Sequence, residues 1–243
     1  MPKLLLTLLC GLSLFFSSQS IASPIKITIV TEDAYPLQYV EDGRFVGPAY
    51  DIVKQVLDNA QLDYQLQVVP WARAYAIATK QPNTLIFSIA RTEQREPLFH
   101  WIGELMELDY YFYGLAGNFI TLPLDEADLK RKRIGTIIDS ATYQFLMKSG
   151  YQRLYPVTSA RQNFEKLLSG RIDMFPANRP SFELSCQKFQ KDCSYLRELM
   201  PVGLPPSKLY FAMSRNSSDE IVIRVKNAYQ QYLLEKQQLN QPR

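Results

Sequence analysis

The segment Ser88-Ile89-Ala90-Arg91-Thr92-Glu93-Gln94-Arg95 follows the apolar run Leu85-Ile86-Phe87 and sets hydroxyls and arginines where a strand should end. Such a cluster suits a carboxylate. Arginine offers a fixed fork of donors that matches two oxygens, and the amides of a turn after a strand add more donors. Ser88, Thr92 and Arg95 are therefore candidate binding residues; the alternative is that Arg91 and Arg95 are ordinary surface charges. Catalytic constellations are missing. There is no glycine-rich phosphate loop, no Gly-x-Ser-x-Gly elbow and no His-Glu-x-x-His pair. The single histidine, His100, lies in the apolar stretch Phe99-His100-Trp101-Ile102 and reads as a strand position. Glu104 and Glu107 are acids with nothing in their context to unite them in one site. Cys186 and Cys193 read as a disulfide. Two cysteines with no histidine nearby are too few ligands for structural zinc, and a loop this short adds only about 2–3 kcal/mol.

The elements that would position these residues follow from periodicity. β-branched alternation predicts a first strand over 25–30, and a loop with Tyr35-Pro36 follows. Gly47-Pro48 opens a helix with apolar residues at helical spacing through Ala60. Strands are predicted over 64–69, 85–89, 133–138, 154–157, 172–175 and 208–213, and helices over 71–79, 141–148, 160–168 and 219–234. Residues 108–115, rich in tyrosine, read as one long connecting strand. Strands alternating with helices indicate βαβ units and mainly parallel sheets. The chain builds one α/β lobe, leaves it, builds a second and returns.

At the N-terminus, Lys3, the apolar run 4–16 and Ser20-Ile21-Ala22 have the order of a cleaved signal peptide over 1–22. The apolar run is too short to span a bilayer, and Cys10 falls within it. The remaining chain is near neutral, since 27 Lys and Arg face 24 Asp and Glu and Lys3 leaves with the signal. That balance lacks the basic excess of a nucleic-acid binder. The basic run Lys130-Arg131-Lys132-Arg133 follows Asp125, Glu126 and Asp128 and reads as a solvated helix end.

Several motifs, each weak alone, occur in one order. They are Tyr35-Pro36-Leu37-Gln38-Tyr39, Gly47 with Asp51, Val69-Pro70-Trp71, Thr92 with Arg95, Arg133-Ile134-Gly135 with Ser140, and Gly170-Arg171-Ile172-Asp173. In that order the chain resembles the bacterial family 3 periplasmic solute-binding proteins, receptors for amino acids and similar polar solutes. The resemblance implies the α/β type II periplasmic-binding-protein fold: two lobes, each a mostly parallel sheet flanked by helices, joined by two crossing segments. Lobe 1 would comprise 23–112 and 205–243, and lobe 2 residues 113–204. It implies that Tyr35 covers the solute, that Ser88 and Thr92 line the first lobe, and that Arg95 clamps a carboxylate. Ser140 and Ala141 would favour an anion at a helix N-terminus. Trp71 and Arg73 are added for their proximity to the cleft, Trp71 being equally at home in a lobe core.

Two positions depart from the family pattern. Asn178 stands where amino-acid receptors carry an acid for the ammonium, and Ala90 where a hydroxyl residue is common. The carboxylate end thus looks kept and the ammonium end weakened. The expected role is a periplasmic, monomeric receptor for a small carboxylate-bearing solute, without cofactor, metal or nucleic acid. It would serve an inner-membrane ABC permease. The alternatives are signalling to a membrane sensor, or an enzyme such as a dehydratase on the same fold.

Overall fold

The computed structural model describes residues 26–119, 124–190, 192–205 and 207–239. The signal peptide expected over 1–22 lies outside them. The chain runs through β1 (Lys26–Thr31), β2 (Tyr39–Glu41), β3 (Arg44–Val46), α1 (Pro48–Asn59), β4 (Asp63–Val68), α2 (Trp71–Lys80), β5 (Thr84–Ala90) and β6 (Phe99–Leu108). It continues through β7 (Tyr110–Leu115), α3 (Glu126–Arg131), β8 (Ile134–Ile137), α4 (Ala141–Lys148), β9 (Leu154–Val157), α5 (Ala160–Leu168), β10 (Met174–Asn178) and α6 (Arg179–Lys188). β11 (Leu196–Pro201), β12 (Ser207–Ser214) and α7 (Asp219–Leu239) complete it.

Two five-stranded sheets result, ordered β4-β1-β5-β12-β6 and β11-β7-β10-β8-β9. In the first, β1 is parallel to β4 and β5, while β12 is antiparallel to β5 and β6. In the second, β8 is parallel to β9 and β10, while β7 is antiparallel to β10 and β11. Each sheet is therefore mixed rather than mainly parallel. The parallel triplet comes from helical crossovers. β7 and β12, the strands that receive the chain at each crossing, run the other way, while β6 and β11, which send it out, run with the triplets.

The predicted connecting strand over 108–115 is two strands. β6 ends at Leu108 in the first sheet, and β7 starts at Tyr110 in the second. Residues 110–112, assigned to lobe 1 by sequence, hydrogen-bond into the second sheet, so the crossing is at Asp109. The return crossing lies between β11 and β12.

Both faces of each sheet are covered. In lobe 1, α1 and α7 pack Val53, Leu57, Val225 and Tyr229 on one face, and α2 packs Trp71, Ala74 and Ala78 on the other. In lobe 2, Leu129 of α3 and Leu146 of α4 cover one face, and Phe164 and Leu167 of α5 the other. Cys186 and Cys193 are disulfide-bonded and tie the end of α6 to the approach to β11. Among the described residues no helix is long and apolar enough to cross a membrane, and no group of His, Cys, Asp and Glu could hold a metal ion.

Candidate functional site

In open α/β sheets ligands bind outside the carboxyl ends of the parallel strands. Here those ends face one another across the interlobe cleft, and a cavity of about 70 Å³ lies at its centre. Lobe 1 lines it with Glu32, just past β1, Trp71 at the start of α2, Ser88 and Ala90 of β5, and Arg95. Lobe 2 lines it with Tyr110, Ser140, Ala141 and Thr142.

Ser88 is aimed by a local irregularity. Tyr210 pairs with Ile89 and Phe211 with Phe87, so Ser88 is left without a partner on β12. Its φ is 58°, a left-handed value uncommon for a non-glycine residue. Bulges of this kind re-aim side chains beside functional sites. The hydroxyl donates to Gln38 Oε1 at 2.7 Å, and fully buried Gln38 donates in turn to Thr31 Oγ1. The Ser88 oxygen thus keeps its acceptor capacity for the cleft.

Arg95 is 1 % exposed, the largest fully buried side chain among the described residues. Its Nη1 donates to Ala90 O at 3.1 Å, and its Nη2 reaches across the cleft to Asp139 O at 2.9 Å. Nε has no partner, and no carboxylate is paired with the guanidinium among the described residues. The rings of Trp71 and Tyr75 flank it at 5.4 and 5.1 Å. Burial lowers its pKa from the usual arginine value, opposed by nearby Tyr75. Trp71 Nε1 donates to the same Asp139 carbonyl at 3.0 Å. Asp139 has φ 58° and immediately precedes the cap of α4. Two lobe-1 donors therefore converge on one backbone oxygen of lobe 2. Ile137 of lobe 2 also packs against the cluster around Trp71.

Ser140 caps α4, accepting from Tyr143 N at 3.1 Å, so its oxygen is engaged. The first-turn amides of Ala141 and Thr142 have no acceptor within the helix and border the cavity. Asn178 caps α6, its Oδ1 accepting from Ser181 N at 2.9 Å. Its side chain also hydrogen-bonds Tyr110, so both ends of the amide have protein partners.

Glu32 is the acid that sequence reasoning passed over. It borders the central cavity and a neighbouring chamber of about 460 Å³, and makes no ion pair among the described residues. Burial, with a smaller push from the Asp33 charge, raises its pKa to about 7. Tyr110 beside it is pushed up to about 12, chiefly by burial and then by the Glu32 charge. The signal for Glu32 was its place directly after a parallel strand.

The other predicted residues are placed differently. Tyr35 lines the 460 Å³ chamber rather than the central cavity. Its loop is held by Ala49 N donating to Leu37 O, against which Gly47, at φ 123°, could carry no Cβ without a 2.5 Å contact. Lys188 of lobe 2 sits over Tyr35 and Tyr39 at 4.5 and 4.7 Å and closes that mouth of the cleft. Thr92 lies in a second chamber, of about 530 Å³, on the opposite side. Arg91 is exposed there, paired with Glu96. Arg73 is on the exposed face of α2 and lines none of these cavities, because helical spacing turns it away from buried Trp71 and Ala74.

No family model matches the chain, and no curated protein matches it. Solved structures do. A histidine kinase sensor domain with similarity to periplasmic binding proteins superposes with TM-score 0.76 at 11% identity, covering 88% of this chain and 92% of that one. A variant of ArgBP from T. maritima gives TM-score 0.73 at 13% identity, over 87% and 91%. The amino acid ABC transporter substrate-binding protein AbpA from Streptococcus pneumoniae, bound to L-arginine, gives 0.72 at 16%, over 87% and 90%. At these identities the likeness establishes the fold, the type II periplasmic-binding-protein architecture.

Proposed function

We propose that this chain is a periplasmic solute-binding protein that closes its two lobes on a small, polar, carboxylate-bearing solute such as an amino acid or a relative of one. One observation carries the reading: the central cavity holds an acid, Glu32, and a buried guanidinium, Arg95, neither of them in an ion pair among the described residues. A buried charge is costly to leave unpaired, so the site is complementary to a solute with a cationic or donor end and an oxygen-bearing end. Ser88 and the first-turn amides of α4 complete the binding surface.

Closure is the mechanism. Solute contacts to both lobes favour the closed state by their differential affinity for it. The Asp139 carbonyl, met by Trp71 and Arg95, registers the lobes. Delivery to an inner-membrane ABC permease, by a monomer, is the first reading of the partner. The likeness to a kinase sensor domain favours a second, in which the closed form is read by a membrane sensor.

The test is a thermal-shift screen of the mature protein, refolded to strip retained solute, against amino acids, organic acids, amines and short peptides. A true solute at 100 times its dissociation constant adds about 2.7 kcal/mol of apparent stability. A shift confined to one chemical class and lost in Arg95→Ala supports the reading; a chain silent to every class counts against it.

A further inference from the structure

The central cavity is a throat between two larger chambers. It shares Glu32, Ser88 and Tyr110 with the 460 Å³ chamber on the Tyr35 side. On the other side it shares Ala90, Ala141 and Leu204 with the 530 Å³ chamber. Two of those three boundary residues are alanines, one of them at the position where the family pattern favours a hydroxyl. A short side chain there leaves the boundary open.

The far chamber is furnished for a particular group. Thr92 and Gln144 both line it, and Thr92 Oγ1 and Gln144 Oε1 are buried without a hydrogen-bond partner. A hydroxyl donor and an amide-oxygen acceptor left unmatched in one cavity suit the N–H and C=O of a peptide unit. Lys148, the last residue of α4, lines the same chamber and makes no ion pair among the described residues. The other two cations there, Arg91 and Lys208, are already paired with Glu96 and Glu104. Arg95 fits the same picture. With Nη1 and Nη2 each holding a backbone carbonyl, its unpartnered Nε is suited to one further carbonyl oxygen.

We infer that the solute is a dipeptide-sized chain lying through the throat, with its ammonium beside Glu32, its amide near Arg95, Thr92 and Gln144, and its carboxylate at Lys148. This rests on the solute-binding reading above and names the class of solute. A free amino acid would occupy the throat alone and leave the unmatched groups of the far chamber without partners.

The probes are single L-amino acids, dipeptides made from them, and the same dipeptides amidated at the C-terminus, titrated by calorimetry into wild type and Lys148→Ala. At least one dipeptide should bind ten times or more tighter than either constituent amino acid. Amidation should weaken it about three- to fivefold in wild type, the scale of an exposed ion pair, and not at all in Lys148→Ala. Amino acids binding as tightly as every dipeptide would overturn the inference while leaving the solute receptor standing. Equal loss on amidation in both proteins would overturn it too. Silence from all probes would count against the solute-binding reading and this inference with it.

Discussion

The two lobes are built alike and contribute differently. Each has a parallel triplet of strands flanked by two strands of the crossing segments, with helix N-termini at the cleft. Yet lobe 1 supplies both ionisable groups that face each other in the central cavity, Glu32 and Arg95, while lobe 2 supplies neutral groups there: the first-turn amides of α4 and the Tyr110 hydroxyl. Charges act over longer distances than hydrogen bonds, whose strength falls steeply with misalignment. The difference implies an order of events. If the chain closes on a solute as proposed, lobe 1 captures it while the cleft is open, and lobe 2 completes the contacts once closure brings its donors into range.

The strongest way to break this comparison is Arg95→Ala. It removes the positive charge of the capturing lobe and the bond to Asp139, and should weaken solute binding at least about a hundredfold, near 3 kcal/mol, measured by calorimetry. The contrasting substitution in lobe 2 is Asp173→Asn. Asp173 accepts from the backbone and guanidinium of Arg133, with Arg133 Nη2 at 2.6 Å. Burial pushes its pKa up, but the Arg133 hydrogen bonds outweigh that and hold it below the ordinary value. The pair braces the base of β8 and β10 away from the cleft. Its loss should lower urea stability by about 2 kcal/mol and leave solute affinity within about threefold.

Glu32→Gln sharpens the comparison through pH. In the folded chain the Glu32 proton is held more tightly than the ordinary 4.5 would allow, up to about 7. Its stabilising contribution is therefore full below about 4.5 and is lost as pH rises through about 7. Because Glu32 keeps some exposure to the cleft, the loss should be roughly 1–2 kcal/mol in wild type and absent in Glu32→Gln, read from urea midpoints between pH 4 and 8. Affinity for a solute with an ammonium should move the opposite way, rising as the carboxylate ionises, and be flat in the variant. The smallest effect belongs to Lys188→Ala, which removes the cation seated over Tyr35 and Tyr39 across the cleft mouth. A loss of about 0.5–1 kcal/mol should appear as a two- to fivefold faster solute release in stopped-flow.

Alternating periodicity made most of the fold legible: the strands and helices over 64–89 and 133–175 lie within a few residues of their predicted places. What it missed has local causes. β2 and β3 are three residues each, too short to show a period, and were read as loop. α6 carries a polar sequence, Arg-Pro-Ser-Phe-Glu-Leu-Ser-Cys-Gln-Lys, with a weak apolar stripe, although Asn178 and Pro180 are ordinary start signals. At the site, Ser88 and Arg95 were legible because a hydroxyl and a guanidinium follow an apolar strand. The bulge that aims Ser88 was not, since Leu-Ile-Phe-Ser-Ile-Ala reads as an uninterrupted strand. Asp139 was missed because its backbone oxygen, rather than its side chain, meets the other lobe. Asn178 was legible by place, but its capping of α6 was not, because the helix that follows has so weak an apolar stripe.

The central claim is that a solute held by the charges of lobe 1 draws lobe 2 closed. It is tested most directly by small-angle scattering while the solute found in the screen is titrated into refolded wild type and Arg95→Ala. The account predicts a radius of gyration that falls saturably in wild type, with its midpoint at the calorimetric dissociation constant, and stays constant in Arg95→Ala over the same range. Saturated binding with no compaction, or equal compaction in Arg95→Ala, would contradict it.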